Sequence, residues 1–375
     1  MHGTGIIFLC VLILFKKGYY FIMFRIFVIN PGSSSLKVAF FEGHEQIWSV
    51  TKRHNPEKIR SFLNVYDQIS FRMAAIDEVI AEKGLDFSEV DAIACRGGFC
   101  KPLESGTYTI NEELLDDLKY ARWGEHAANI SPFCGKILSE RYRKPAFYTD
   151  PVSVDEFMPE SYVTGIPGMR RICKVHALNH KAVTRYAAQE LGKSYEQCNF
   201  VVAHMGGGIS VAAHRKGRMV DTCNPAEEGP LCIDRPGQLP NLKLLDYIFT
   251  SGKSHDELYR QLSTGCGILA YTGLSDLIAI EELAAADPDI ALLLNAMSYR
   301  VAFYILGYMA AFEGEPIDAV ILTGGMAKSD WIVPAVTKRI EPFAKILIYK
   351  GEFEMEALAE GAIRVLSGKE KAKEY

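Results

Sequence analysis

The sequence carries little net charge, no closely paired cysteines and no low-complexity linker, and each absence removes a class of protein. Across 375 residues, 41 Lys and Arg stand against 46 Asp and Glu, a formal charge of −5. A nucleic-acid backbone demands a concentrated positive field, so nucleic acid is excluded as a partner and small molecules are favoured. The cysteines fall at 10, 95, 100, 134, 173, 198, 223, 232 and 266, with no C-x-x-C among them. An odd, scattered set suits neither a secreted disulfide framework nor a zinc site. Buried thiols in a reducing, cytoplasmic compartment fit it better. What is present, 49% hydrophobic and 23% charged residues, is the composition of an ordinary globular chain with room for two cores.

The first 22 residues stand apart. Gly5 to Phe15 is apolar without interruption, yet shorter than the roughly 20 residues of a membrane-spanning helix, and only His2 precedes it where a secretory signal carries basic charge. The reading adopted is that Met23 is the natural start, 1–22 is an upstream extension outside the fold, and no membrane is involved; an anchor or a signal are the alternatives.

From Met23 onward the chain repeats its own plan. A strand Arg25–Ile29, a small-residue turn Asn30–Ser35, a strand Leu36–Phe41, a Gly turn at 42–44 and a strand Gln46–Val50 recur as Phe200–Ala203, His204–Gly208, Ile209–Ala213, 215–217 and Arg218–Thr222. A second echo pairs Val90–Gly98 with Ile317–Gly325, each an apolar run that shares Asp, Ala and two glycines and reads as a buried parallel strand. Helical spacing precedes both, at Phe71–Lys83 and Ile290–Phe312. Further helices are expected over Glu112–Trp123 with Asn111 as cap, His126–Arg143, His176–Leu191 and Glu354–Leu366, and strands over Pro145–Thr149 and Lys345–Tyr349. The unequal spacing of the two echoes places a helical insertion at about 241–290. The expected class is therefore α/β with a duplicated two-domain plan: 23–152 plus 355–375 as the first domain, 153–354 as the second, and a cleft between them.

Two turns could hold phosphate. Asn30-Pro-Gly-Ser-Ser-Ser-Leu-Lys37 and His204-Met-Gly-Gly-Gly208 each offer backbone N–H groups with little steric cover, the first with added hydroxyls. Neither is a Walker A loop or a Rossmann turn. His176 and His180, at i and i+4, lack the intervening Glu and the third ligand of a zinc helix. His2, His44, His54, His214 and His255 carry no chemical signal.

Val28-Ile-Asn-Pro-Gly-Ser-Ser-Ser-Leu-Lys37 resembles the opening signature of the acetate and butyrate kinases. The likeness continues through Arg96-Gly-Gly98, Gly124–Asn129, Asp150-Pro-Val152, His176–Asn179, Val202–Ser210, Leu322–Gly325 and Glu354–Gly361, over roughly 23–368, and it leans towards the butyrate kinase branch. It implies a duplicated actin-like (ribonuclease H-like) fold with an interdomain active-site cleft. The implied reaction is carboxylate + ATP ⇌ acyl phosphate + ADP with magnesium, on butyrate or a branched-chain acid, in a homodimer or higher homo-oligomer. By the same resemblance Arg96 holds the carboxylate, Arg235 acts on the transferring phosphoryl group, and His176 and His126 donate hydrogen bonds to it. Asp150 and Glu354 serve magnesium. Asn30, Ser33, Ser35, Lys37, His204, Gly206, Gly207, Gly208, Asp276, Gly324 and Gly325 line the nucleotide, and Phe99, Pro151-Val152 and Ala212-Ala-His214 are candidates for the acyl pocket.

The residue types suit that chemistry. A short-chain acid with a pKa of about 4.3 is already an anion at neutral pH. No general base is required, and the difficulty is to bring like charges together, which calls for cations and fixed donors. Arg suits this because its planar fork bridges oxygens and stays charged. Three positions depart from the family pattern: Ile278 stands where an Arg is usual, Pro236 replaces a Ser, and Pro225–Gly229 lacks the usual Asn or Asp. They leave open a same-fold kinase acting on a hydroxyl and a non-catalytic nucleotide-binding paralogue.

Overall fold

Ile26 to Ile29 are four consecutive residues with no exposed surface, a pattern that a strand shows only when both faces of its sheet are covered. The computed structural model describes residues 23–375 and, before them, a pairing of Phe15–Lys16 with Tyr19–Tyr20; the reading of 1–22 otherwise lies outside the described residues. The chain forms two compact units, one comprising 1–101, 106–151 and 354–375, the other 102–105 and 152–353.

The first unit is built on six strands, β1 (Arg25–Pro31), β2 (Ser35–Glu42), β3 (Glu45–Arg53), β4 (Ala92–Arg96), β5 (Thr107–Thr109) and β6 (Ala146–Thr149). Their order is β3-β2-β1-β4-β6-β5. β1, β2 and β3 are antiparallel neighbours, while β4 lies parallel to both β1 and β6. The helices Ile69–Lys83 and Ser131–Tyr142 send Met73, Ile76, Val79, Cys134 and Leu138 into the core of this sheet beside Phe27, Ile29 and Ile93. The last helix, Glu354–Leu366, is pressed so close that a Cβ on Gly361 would stand 2.6 Å from Thr149 Oγ1.

The second unit repeats the plan with β7 (Asn199–Met205), β8 (Ile209–Arg215), β9 (Arg218–Thr222), β10 (Ala319–Gly324) and β11 (Ile346–Lys350), in the order β9-β8-β7-β10-β11. Again three antiparallel strands are followed by parallel ones. The repeat extends to single hydrogen bonds. The shared Asp of the second echo accepts from the first residue of the neighbouring strand in both units: Arg25 N donates to Asp91 Oδ2 at 2.8 Å, and Asn199 N donates to Asp318 Oδ2 at 2.8 Å. The expected insertion consists of the helices Asn241–Thr250, His255–Thr264, Gly267–Thr272 and Leu277–Ala284. Among the described residues, Pro288–Phe312 is the one helical stretch long and apolar enough to cross a membrane. Its Ile290, Leu294, Met297, Val301 and Ile305 belong to the core of this unit.

Several expected boundaries move for local reasons. The helix expected over 112–123 ends at Lys119, and Ala121 follows with φ +47°. His126–Arg143 is not one helix. His126 caps a short 3-10 turn, Ala127–Ile130, and the α-helix starts at Ser131, because Pro132 has no N–H to give and is accepted only in a first turn. The two phosphate-type turns are shorter than expected, since Asn30, Pro31, His204 and Met205 are still strand. Strand β5 and the helix Ile332–Ile340 had no distinct sequence signal.

Gly98 tests this packing. A Cβ there would meet Asn129 Oδ1 at 2.1 Å and its backbone N at 2.7 Å. Asn129 cannot yield, because its amide accepts from Phe99 N at 2.9 Å and donates to Gly124 O at 3.0 Å. Gly98→Ala is expected to lower stability by about 1–3 kcal/mol in urea unfolding; an unchanged midpoint would show that the loop moves aside freely.

Candidate active site

Three segments far apart in sequence meet at the carboxyl ends of the first unit's parallel strands. β1 delivers Asn30, β4 delivers Arg96 and the last helix opens with Glu354. Arg96 Nη1 donates to Asn30 Oδ1 at 3.1 Å, Arg96 Nη2 pairs with Glu354 Oε1 at 2.8 Å, and Asn30 Nδ2 donates to Glu354 Oε2 at 2.9 Å. The result is a closed triangle in which each side chain fixes the other two. Only 20% of the Arg96 side chain and 15% of Glu354 is exposed, so the ion pair sits where water screens it poorly.

Two further site residues border the triangle. His126 is coupled electrostatically to Arg96 and Glu354; burial first, and then the Arg96 charge, push its pKa down to about 4, with Glu354 opposing. Its Nδ1 accepts from Ala128 N at 3.0 Å, so the neutral ring carries its proton on Nε2. Phe99 meets the His126 ring edge-on at 5.5 Å. Asp150 follows Thr149, the residue opposite Arg96 in the parallel pair of β4 and β6. It is buried, takes φ +38°, and accepts from Gly106 N at 2.8 Å. A non-glycine residue in that region is held by its surroundings, and here the Gly106 contact does the holding.

The first phosphate-type turn is secured by a residue the sequence reading missed. Arg72, fully buried, donates from Nη1 to Ser35 O at 2.6 Å and from Nη2 to Gly32 O and Ser33 O, each at 3.1 Å. No ion pair of Arg72 occurs among the described residues, so a full positive charge stands behind the Ser33–Ser35 turn, balanced only by carbonyl dipoles. The signal was available: Arg72, Ile76 and Val79 form one stripe of the helix, and a charge on an apolar stripe needs an explanation. Lys37 stands opposite Asn30 in the β1–β2 register.

The second unit gathers a different set. A Cβ on Gly208 would fall 2.1 Å from Arg235 Nη1, so the guanidinium lies directly on the glycine turn; Gly207 has no atom within 4 Å on its Cβ side. Arg235 is fixed by Ser263 O, which accepts from Nε at 3.1 Å. Gly324, with φ +89°, packs on the Met205 backbone, where a Cβ would come within 2.5 Å of its carbonyl oxygen, while Gly325 stays open. His176 and His204 stack with ring centres 4.1 Å apart, and His204 Nδ1 is 3.1 Å from Asn179 Oδ1.

Other expected residues are placed differently. Asp276 caps the helix Leu277–Ala284, accepting from Ala279 N at 3.0 Å, the ordinary use of Asp at that position. Ala212, Ala213 and His214 are fully buried in the second unit. Packing of that kind makes them core, leaving Phe99 and Pro151-Val152 as the candidates for shaping an acyl pocket. Among the described residues no cluster of three or more His, Cys, Asp or Glu side chains could hold a metal. Magnesium needs less, one or two carboxylates completed by phosphates and water, and the oxygen donors Asp150 and Glu354 fit that requirement.

Strand ends bearing an anchored guanidinium in one unit, and a glycine turn backed by a guanidinium in the other, define an α/β protein equipped for anionic substrates. Solved structures share the fold. A propionate kinase from Francisella tularensis subsp. tularensis SCHU S4 superposes with a TM-score of 0.74 at 21% identity, covering 90% of this chain and 99% of that one. An acetate kinase from Porphyromonas gingivalis gives 0.74 at 19% identity, covering 92% and 100%. One from Entamoeba histolytica gives 0.70 at 16%, covering 90% and 99%. Identities this low speak for the fold alone. The sequence pattern of the Acetokinase family matches residues 155–344, half of the chain, and the chain belongs to that family. Membership makes it a phosphotransferase with a carboxyl acceptor, which removes the hydroxyl kinase and the non-catalytic paralogue as readings.

The His126 environment predicts acid sensitivity. Its folded pKa of about 4 lies below the roughly 6.5 of an unfolded His, so as pH falls the unfolded chain takes up the proton first. Stability is unaffected above the unfolded value and declines between the two, by up to about 3 kcal/mol. His126→Asn, which retains a capping side chain, is expected to lose less stability than wild type between pH 7 and pH 4 in urea unfolding; equal losses would contradict the assignment.

Proposed function

We propose that the protein is an ATP-dependent kinase of short-chain carboxylic acids, with butyrate or a branched-chain acid as its preferred substrate and acyl phosphate and ADP as products, working reversibly in the cytoplasm as a homodimer or higher homo-oligomer. The observation that carries the reading is the Arg96 triangle. A guanidinium held by Asn30 and Glu354 at the end of a buried parallel strand is pre-organised for an anion and keeps the rest of its donor fork free of these two partners.

In this reading the fold is the duplicated actin-like kind, the first unit takes the acid and the second takes the nucleotide. Arg96 binds the substrate carboxylate. Phe99 limits the length of the acyl chain, a discrimination worth about 1–3 kcal/mol per methylene. The glycine turn Gly206–Gly208 and the Ser33–Ser35 turn, with Arg72 behind it, accept phosphate oxygens. Arg235 neutralises charge on the transferring phosphoryl group, and His176 and His126 donate to its oxygens. Magnesium, held by Asp150 and Glu354, would neutralise charge on the polyphosphate when bound. No proton has to be abstracted, because the acid arrives ionised.

Trapping of the product with hydroxylamine, across acetate, propionate, butyrate and isobutyrate, tests the reading. Acid-dependent hydroxamate is expected, greatest for the four-carbon acids, and Arg96→Ala should lower kcat/KM by roughly 10²–10³ without changing the circular dichroism spectrum. ATP consumption without hydroxamate, or an Arg96→Ala variant with full turnover, would refute it.

A further inference from the structure

Beneath His176 runs a line of buried polar side chains that the phosphoryl chemistry does not itself employ. His176 Nδ1 lies 2.8 Å from Ser210 Oγ, which lies 2.9 Å from His180 Nε2. On its other side His180 Nδ1 is 3.3 Å from His214 Nε2, and His214 Nδ1 is 2.7 Å from the Tyr195 hydroxyl. Ser210, His180 and His214 have no exposed surface, and Tyr195 has 5%. Burial holds both His180 and His214 far below the usual histidine range, so each ring is neutral. A neutral imidazole has one donor and one acceptor nitrogen. The buried Ser210 hydroxyl has His176 and His180 as its hydrogen-bond partners among the described residues and must give its proton to one of them, so the four bonds all run one way or all run the other.

The far end decides which. Lys181, also fully buried, donates to Glu156 Oε2 at 2.6 Å and to Gly217 O at 3.1 Å, and its Nζ lies 5.2 Å from the Tyr195 ring centre. An ammonium group has three donors and nothing to accept with. The buried Tyr195 hydroxyl has His214 Nδ1 as its one hydrogen-bond partner among the described residues, so its proton turns to that nitrogen. Successive steps follow: His214 Nε2–H donates to His180 Nδ1, His180 Nε2–H donates to Ser210 Oγ, and the Ser210 hydroxyl donates to His176 Nδ1. The reverse arrangement would leave the buried Tyr195 proton with no acceptor among the described residues, which is costly.

We propose that Tyr195, His214, His180 and Ser210 form a directed hydrogen-bond relay whose task is to hold His176 as its Nε2–H tautomer, a fixed donor for an oxygen of the transferring group. These are positioning residues, and no proton moves along the line during turnover. His126 reaches the same tautomer by simpler means, through the Ala128 N–H on its Nδ1. The catalytic consequence rests on the kinase reading; the tautomer does not.

Nitrogen-15 spectra of the full-length, histidine-labelled protein test the relay, with the His176 signal assigned through His176→Gln. In the wild type the protonated nitrogen is expected to be Nε2; a predominant Nδ1–H form would overturn the proposal, whatever the variants do. Tyr195→Phe removes the hydroxyl while keeping the ring. It is expected to move part of the His176 population to the Nδ1–H form and to lower kcat roughly tenfold with KM unchanged. An unchanged His176 spectrum, or an unchanged kcat, in that variant would overturn it as well. Should Tyr195→Phe fail to fold, the wild-type spectrum decides. Should the wild type make no hydroxamate from any acid, the kinase reading falls, while the spectra still decide the relay.

Discussion

Charge compensation around Arg96 is the constraint on which the first unit's site depends. A guanidinium with a fifth of its side chain exposed cannot be left alone, and an unpaired partner left behind by mutation would be costly. Here the compensation is divided. Glu354 supplies charge, Asn30 supplies an amide that touches both, and the three come from two strand ends and one helix start. The same arrangement that makes the ion pair affordable also aims it, because a side chain bonded on two sides has few rotamers left to lose on binding.

The second unit meets its electrostatic demands with neutral groups. Stacked His176 and His204, 4.1 Å apart, cannot both carry a proton comfortably, and the buried His180 and His214 stay neutral behind them. Positive charge is supplied by Arg235 on the glycine turn, while Lys181, near the far end of the line, is paired with Glu156. Histidine thus contributes direction and Arg contributes charge. The repeated plan explains how both sites arise from one pattern: each places its functional groups where a central strand gives way to a small-residue turn, and each secures that strand with an Asp at 2.8 Å from the first backbone N–H.

Much of this was legible along the chain because it is local. Strand–turn–strand periods, the two glycine echoes, the cap at Asn111 and the helical insertion depend on neighbours within a few residues. Arg96 and Glu354 were marked by resemblance to a family, not by spacing, and their mutual contact joins segments that no periodicity relates. Long-range partners account for the rest. Arg72 reads as an anomaly on an apolar stripe, yet only the fold shows that it grips the Ser33–Ser35 turn. His214 carries no signal on its strand, since its meaning comes from His180 on a helix and Tyr195 in a short 3-10 turn. Where local rules competed, as at Pro132, the missing N–H overrode a helical pattern.

The most direct measurement is a crystal structure of the protein with butyrate, ADP, magnesium and aluminium fluoride. The account predicts the acid's carboxylate within hydrogen-bond distance of the Arg96 guanidinium, with Asn30 still in contact with that side chain. Butyrate seated elsewhere, with the Arg96–Glu354 pair closed and untouched, would contradict it.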